Sequence, residues 1–172
     1  MLLAALLGFG KRAHELRVAE IAATVFDYAV TTQHAVDRGI FNFDSLWYHM
    51  PFAVEMVQSH SVVGMHHTDT VFTNWFYPQN SELLHSAGIL FLDSDFLSPL
   101  MNIGWMALCL LAAWCFGRPY GAAAAAVLAL AVILDAEMLL LYQPGDAKND
   151  TMGLFFLLCV YCAVRGWQSP RP

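Results

Sequence analysis

Charge is scarce in this chain: Asp, Glu, Lys and Arg make up 13% of its 172 residues, against roughly 25% in soluble domains. A purely water-exposed globule is a poor fit to that composition. Basic residues are fewer still, 8 against 14 acidic ones for a formal net charge of −6. No Lys/Arg run can neutralise several phosphates, which excludes nucleic-acid binding. A secretory signal has positive charge before an apolar core and small residues after it, and the first residues lack that order. Internal repeats and low-complexity linkers are missing beyond the Ala122 to Ala126 run, whose small side chains suit close helix packing. Only four cysteines occur, Cys109, Cys115, Cys159 and Cys162. All fall in apolar stretches, so the Cys159-x-x-Cys162 spacing reads as packing rather than as zinc or redox chemistry.

What remains is apolar: 58% hydrophobic residues and a mean hydropathy of +0.51. A membrane-spanning helix needs about 20 such residues. Two stretches meet this plainly, 96–117 without a charge and 121–143 interrupted only by Asp135 and Glu137. Arg118-Pro119-Tyr120 joins them, a link short enough to make them antiparallel neighbours. A third stretch, 151–167, closes on Arg165 and Trp167, a cationic and aromatic end of the kind found at a bilayer surface. Met1 to Phe9 is apolar but about half a span. Residues 18–36 are helix-compatible and just long enough to cross, despite Glu20 and Asp27. An interfacial amphipathic helix is the alternative there.

These elements predict an all-α, polytopic membrane bundle of about four spans, forming one domain over 1–172. An outer loop over 37–95 would carry interfacial helices. Lys and Arg concentrate on the cytoplasmic side of membrane proteins. Four crossings put Lys11, Arg12 and Arg17, then Arg118, then Arg165 and Arg171 on that side. The 37–95 segment and the 144–150 loop then share the opposite, non-cytoplasmic face. Multi-pass location in the cell membrane is the expectation.

Polar chemistry gathers in three strings. The first, FDSLWYHMP, places Asp44, Tyr48 and His49 ahead of a helix whose first turn takes Pro51 and whose apolar side carries Phe52, Met56 and Val63. The second, FYPQNSELLH, contains Tyr77, Asn80 and Glu82; Asn80 or Ser81 can cap a helix running to about Leu92, with Glu82 in its first turn. The third, QPGDAKND, contains Asp146, Lys148 and Asp150; Pro-Gly makes a turn, and Asn149 or Asp150 can cap the next helix. A carboxylate in such a loop can take a proton from a hydroxyl or hold a divalent cation. Between the first two strings lie His66, His67 and Asp69, of ligand type for a transition metal. Asp135 and Glu137 stand at membrane depth, where charge is costly and often functional.

In this order the strings resemble the N-terminal part of bacterial GT-C superfamily membrane glycosyltransferases, over roughly residues 42–162. The resemblance implies a transferase that takes a sugar from a polyprenyl-phosphate donor and passes it to an acceptor on the non-cytoplasmic face. It implies Asp44 as catalytic base or metal-binding carboxylate and Asp150 as its assistant, with Asp146 a weaker candidate. Tyr48, His49, Tyr77, Asn80, Glu82 and Lys148 would shape the substrate groove, and Lys148 or a divalent cation (Mg or Mn) would neutralise the departing phosphate. Members carry more spans than the four read here, so the remaining spans, or another subunit, are expected partners alongside the lipid bilayer and the donor. Two other readings stay open. One is a non-catalytic membrane assembly partner or degenerate copy. The other is a transporter or metal-dependent membrane enzyme built on His66, His67, Asp69, Asp135 and Glu137.

Overall fold

The computed structural model describes the backbone of residues 2–63 and 79–168 and the side chains of 18–63 and 79–166. The described residues are all-helical. Helix α1, Leu2–Arg38, runs unbroken through the stretch that sequence divides at Lys11 and Arg12. A π-helical turn, Ser45–His49, leads into α2, Met50–Ser59. Next come α3, Asn80–Leu92, and α4, Leu97–Gly117. A 3₁₀ turn, Arg118–Tyr120, connects α4 to α5, Ala123–Leu134. A short α6, Glu137–Leu140, and α7, Asp150–Gln168, complete the order of elements.

Among the described residues one helix, Leu97–Tyr120, is long and apolar enough to cross a bilayer. The continuous helix expected over 121–143 divides instead. Its apolar part ends at Leu134, and Ala136 adopts an extended backbone before α6 begins. Asp135 and Glu137 flank that break, with Asp135 half-buried and Glu137 exposed. Helix α2 is also shorter than the apolar pattern to Val63, because His60 turns left-handed at φ 53° and ends it. Phe52 and Met56 face the protein interior rather than a membrane surface, at 1% and 6% exposure.

Helix α4 lies at the centre and packs against α1, α3, α5 and α7. Its Met106, Cys109 and Ala113 meet Tyr28 of α1 and Leu130 and Leu134 of α5 in the apolar core. The α4–α5 hairpin closes so tightly that a Cβ on Gly117 would stand 2.7 Å from the Ala122 carbonyl oxygen and 2.8 Å from the Ala123 Cα. Both are backbone atoms that cannot swing aside. Helix α7 runs from Asp150 to Gln168, so Asp150 and Arg165 stand about 22 Å apart at opposite ends of one rod. The α4–α5 hairpin shares the Arg165 end, where Tyr120 and Tyr161 join hydroxyls at 3.2 Å and Arg165 lies over the Tyr120 ring. Helices α2 and α3 cover the other end.

Gly117→Ala is expected to lower the unfolding free energy by about 1–3 kcal/mol, the usual cost of forcing an extra carbon into a filled contact. Thermal unfolding of the detergent-solubilised protein checks this.

Candidate functional site

The end of the bundle away from the hairpin is built around a loop that lies inside the protein. Gln143, Pro144, Gly145, Asp146 and Ala147 are all buried. A buried loop must find partners for its backbone polar groups within the fold. Asn102 of α4 supplies them: its side-chain nitrogen lies 2.7, 3.0 and 3.1 Å from the carbonyl oxygens of Gln143, Asp146 and Lys148. Gly145 takes φ +78°, and a Cβ there would fall 2.7 Å from the Ala35 Cβ and 3.1 Å from the Thr31 carbonyl oxygen of α1. The loop is therefore pressed onto α1 on one side and tied to α4 on the other.

Gln143 also organises the start of α7. Its Nε2 donates to Asp150 Oδ2 at 2.6 Å, and its Oε1 accepts from the Thr151 backbone N–H and hydroxyl, both at 3.3 Å. It does what an N-cap side chain does, the role that the sequence offered to Asn149 or Asp150. Asn149 turns away and donates to Ser81 Oγ of α3 at 3.2 Å. Ser81 in turn does not cap its own helix, whose N-cap residue is Gln79 without a side-chain cap. Asn80 is exposed at that helix end.

The turn carrying Asp44 is fastened to the same loop. Ser45 Oγ accepts from the Ala147 backbone N–H at 3.1 Å and lies 3.4 Å from Asp146 Oδ1, its hydrogen-bond acceptor. One residue earlier, Asp44 Oδ2 pairs with Lys148 Nζ at 2.8 Å. The Asp44 side chain is 37% exposed and that of Lys148 14%, so the pair lies at the surface of the buried network. Lys148 Nζ also stands 4.8 Å over the Tyr142 ring. Tyr48 is half-buried among Trp47, His49 and Phe52 rings.

At the far end of the turn, His49 Nδ1 bonds Glu82 Oε1. These two residues are 4% and 2% exposed, so they meet each other rather than a groove open to substrate. Burial works against the Glu82 charge, but the hydrogen bonds from His49 and its own backbone, with the His49 charge, outweigh it and hold the carboxyl below its ordinary value. His85, one turn on, bonds the Ala147 backbone, and burial drives its pKa down to about 4. Asp146 moves the other way: burial raises it to about 6, against the opposing hydrogen bonds from Ser45 and Asn42 and the charge of Lys148.

The three polar strings thus converge. Asp44 meets Lys148, His49 meets Glu82, and Asp150 is held by Gln143 beside them. Asp44 and Asp150 are related through Lys148, two residues before Asp150. Tyr77, His66, His67 and Asp69 lie outside the described residues. Among the described residues no three or more His, Cys, Asp or Glu side chains gather as a metal ion would need. Sequence reasoning gave no role to Ser45, His85, Asn102 or Gln143. Asn102 had a usable signal, being a polar side chain within an otherwise apolar span. Compared with family models, curated proteins and solved structures, the chain matches none.

Asp146 makes folding pH-dependent with a definite sign. A carboxyl harder to ionise when folded stabilises the fold below its unfolded pKa, and that contribution disappears as pH rises through the folded value. Relative to Asp146→Asn, the wild-type chain should lose up to about 3 kcal/mol of stability between roughly pH 4 and 6, then run parallel above. His85 contributes the opposite slope below its ordinary value, but it is present in both proteins and cancels. Melting temperatures of the two across that pH range make the measurement.

Proposed function

We propose that this chain is an integral membrane glycosyltransferase of the GT-C type, or the N-terminal catalytic part of one, passing a sugar from a polyprenyl-phosphate donor to an acceptor on the non-cytoplasmic face. The observation that carries the reading is the ion pair of Asp44 with Lys148 at 2.8 Å. It sets a partly exposed carboxylate and an ammonium in one place, the two kinds of group that glycosyl transfer from a phosphate uses.

In the reaction the acceptor oxygen attacks the anomeric carbon and its proton passes to the Asp44 carboxylate. The bond from that carbon to the phosphate oxygen breaks, and the electron pair leaves with the polyprenyl phosphate. Lys148 neutralises the charge that develops there, most effectively where water is thin. Asp44 Oδ2 is already engaged by Lys148, so the ammonium stands ready beside the base. The base and the counter-charge are thus both side chains of this chain.

Two features support a bilayer setting. Buried positions hold many polar residues, among them Thr24, Thr32, Asn102, Gln143 and Thr151, while Leu111, Val132, Ile133, Phe156, Leu157 and Val160 are exposed. Buried polar groups beside the apolar core, with large apolar side chains facing out, depart from a water-soluble helix bundle and suit helices whose solvent is lipid. Phe41, Phe43 and Leu46, close to Asp44 in sequence, are exposed, apolar side chains that fit the approach of a donor with a prenyl tail. Arg118 and Arg165 at the opposite end fit the cytoplasmic side.

Asp44→Asn in the full-length membrane protein should lower sugar transfer from the polyprenyl-phosphate donor by about 10²–10⁴-fold, the usual contribution of a general base. Radiolabelled or mass-detected product formation reads this out. Turnover equal to wild type removes Asp44 from the chemistry and the reading with it.

A further inference from the structure

The turn that begins beside Asp44 is π-helical, a form that is rare and often found at functional sites. It holds about one residue more per turn than an α-helix. Relaxing it to α-helical register would rotate the chain before Ser45 by about 100° relative to α2, taking Asp44 away from Lys148. Something must hold the extra residue in place from both ends. At the start, Ser45 is fixed by Ala147 and Asp146. At the end, His49 is fixed by Glu82 of α3.

From this geometry we infer that Glu82 and His49 form a positioning pair, which keeps the π-helical turn in register so that Asp44 meets Lys148; the inference rests on the glycosyltransferase reading for its catalytic consequence. Packing alone does not account for the pair. A buried ion pair is seldom a better glue than apolar side chains of the same volume, and both members are almost fully enclosed. What it adds is direction: an apolar contact lets the turn slip by a residue, whereas an imidazole N–H aimed at one carboxylate oxygen does not. The other hydrogen bonds of the Glu82 carboxylate, from its own backbone and from Ser81, lie within α3, so His49 is its link to the π-helical turn. Helix α3 governs the loop as well, since His85 bonds the Ala147 backbone and Ser81 takes the Asn149 amide. One helix thus reaches the segments on both sides of the Asp44–Lys148 pair.

The test reads geometry and turnover separately, in the full-length membrane protein. The chain has two lysines, Lys11 and Lys148. Acetylation by an N-hydroxysuccinimide ester, followed by peptide mapping, reports Lys148 with Lys11 as internal reference. Releasing a partly exposed ion pair should raise Lys148 labelling by about threefold, and Asp44→Asn sets that level. Glu82→Gln is expected to reach it, with kcat down by about tenfold or more and KM within about twofold, since a displaced base weakens the chemical step rather than binding. His49→Leu should behave alike. His49→Asn puts an amide N–H near the place of Nδ1 and should keep labelling at the wild-type level, which separates register from loss of folding. Glu82→Gln with unchanged labelling, or with raised labelling and unchanged kcat, overturns the inference. Wild-type protein without transfer activity sinks the glycosyltransferase reading, and the labelling ratio then decides by itself whether the pair positions the turn.

Discussion

One side-chain amide makes the rest of this end of the protein possible. A loop of five buried residues would leave its carbonyl groups without water, at a cost of about 1–3 kcal/mol for each one left unpaired. Asn102 meets three carbonyls of the loop and its exit from the second turn of α4. Because that amide points into the loop, Gly145 can lie against α1, Ala147 can donate to Ser45, and Lys148 can emerge facing Asp44. Asn102 is 1% exposed, so no solvent can take its place. The central helix is therefore a core element and the template for the polar end at the same time.

Much of the helical layout comes from local sequence. The 96–117 stretch and α4 coincide within a residue because an uninterrupted apolar run has one low-energy form. The start of α2 at Met50, beside Pro51, and the extent of α3 also agree with their signals. Where sequence and structure part, tertiary partners decide. The 121–143 stretch looks continuous to a hydropathy window, yet the acidic Asp135 and Glu137 flank a break that ends the apolar helix at Leu134. Glu82 reads as a first-turn charge favouring its own helix dipole, and only the fold supplies His49 as its partner, 33 residues earlier. The capping of α7 by Gln143 was likewise hidden, since it depends on a loop that doubles back.

The candidate site divides in the same way. The residue types and their order drew attention to Asp44, Lys148 and Asp150, and those strings do meet. The roles within the meeting were not readable, because side chains of the same type diverge with depth. Asp44 and Asp146 both read from sequence as loop aspartates. Asp44 keeps an ammonium beside it at the surface, while Asp146, 3% exposed, is drawn toward the protonated form. Periodicity carries no information about depth of that kind.

The low polarity of the surroundings explains why so few groups can hold so much. Within a poorly polarisable interior a hydrogen bond is stronger than in water and an unpaired polar group is costlier. A network built there has few alternative arrangements close in energy. Ser45, His49, Glu82, Asn102 and Gln143 are each nearly inaccessible, and each ties one element to another that is distant in sequence or to the loop that joins them. Lys148 and Asp44 lie where this network reaches the surface, so their spacing is inherited from the bonds beneath them. In the proposed transfer, the base and the phosphate-neutralising cation would take their places from that network below while staying open to reactants from outside.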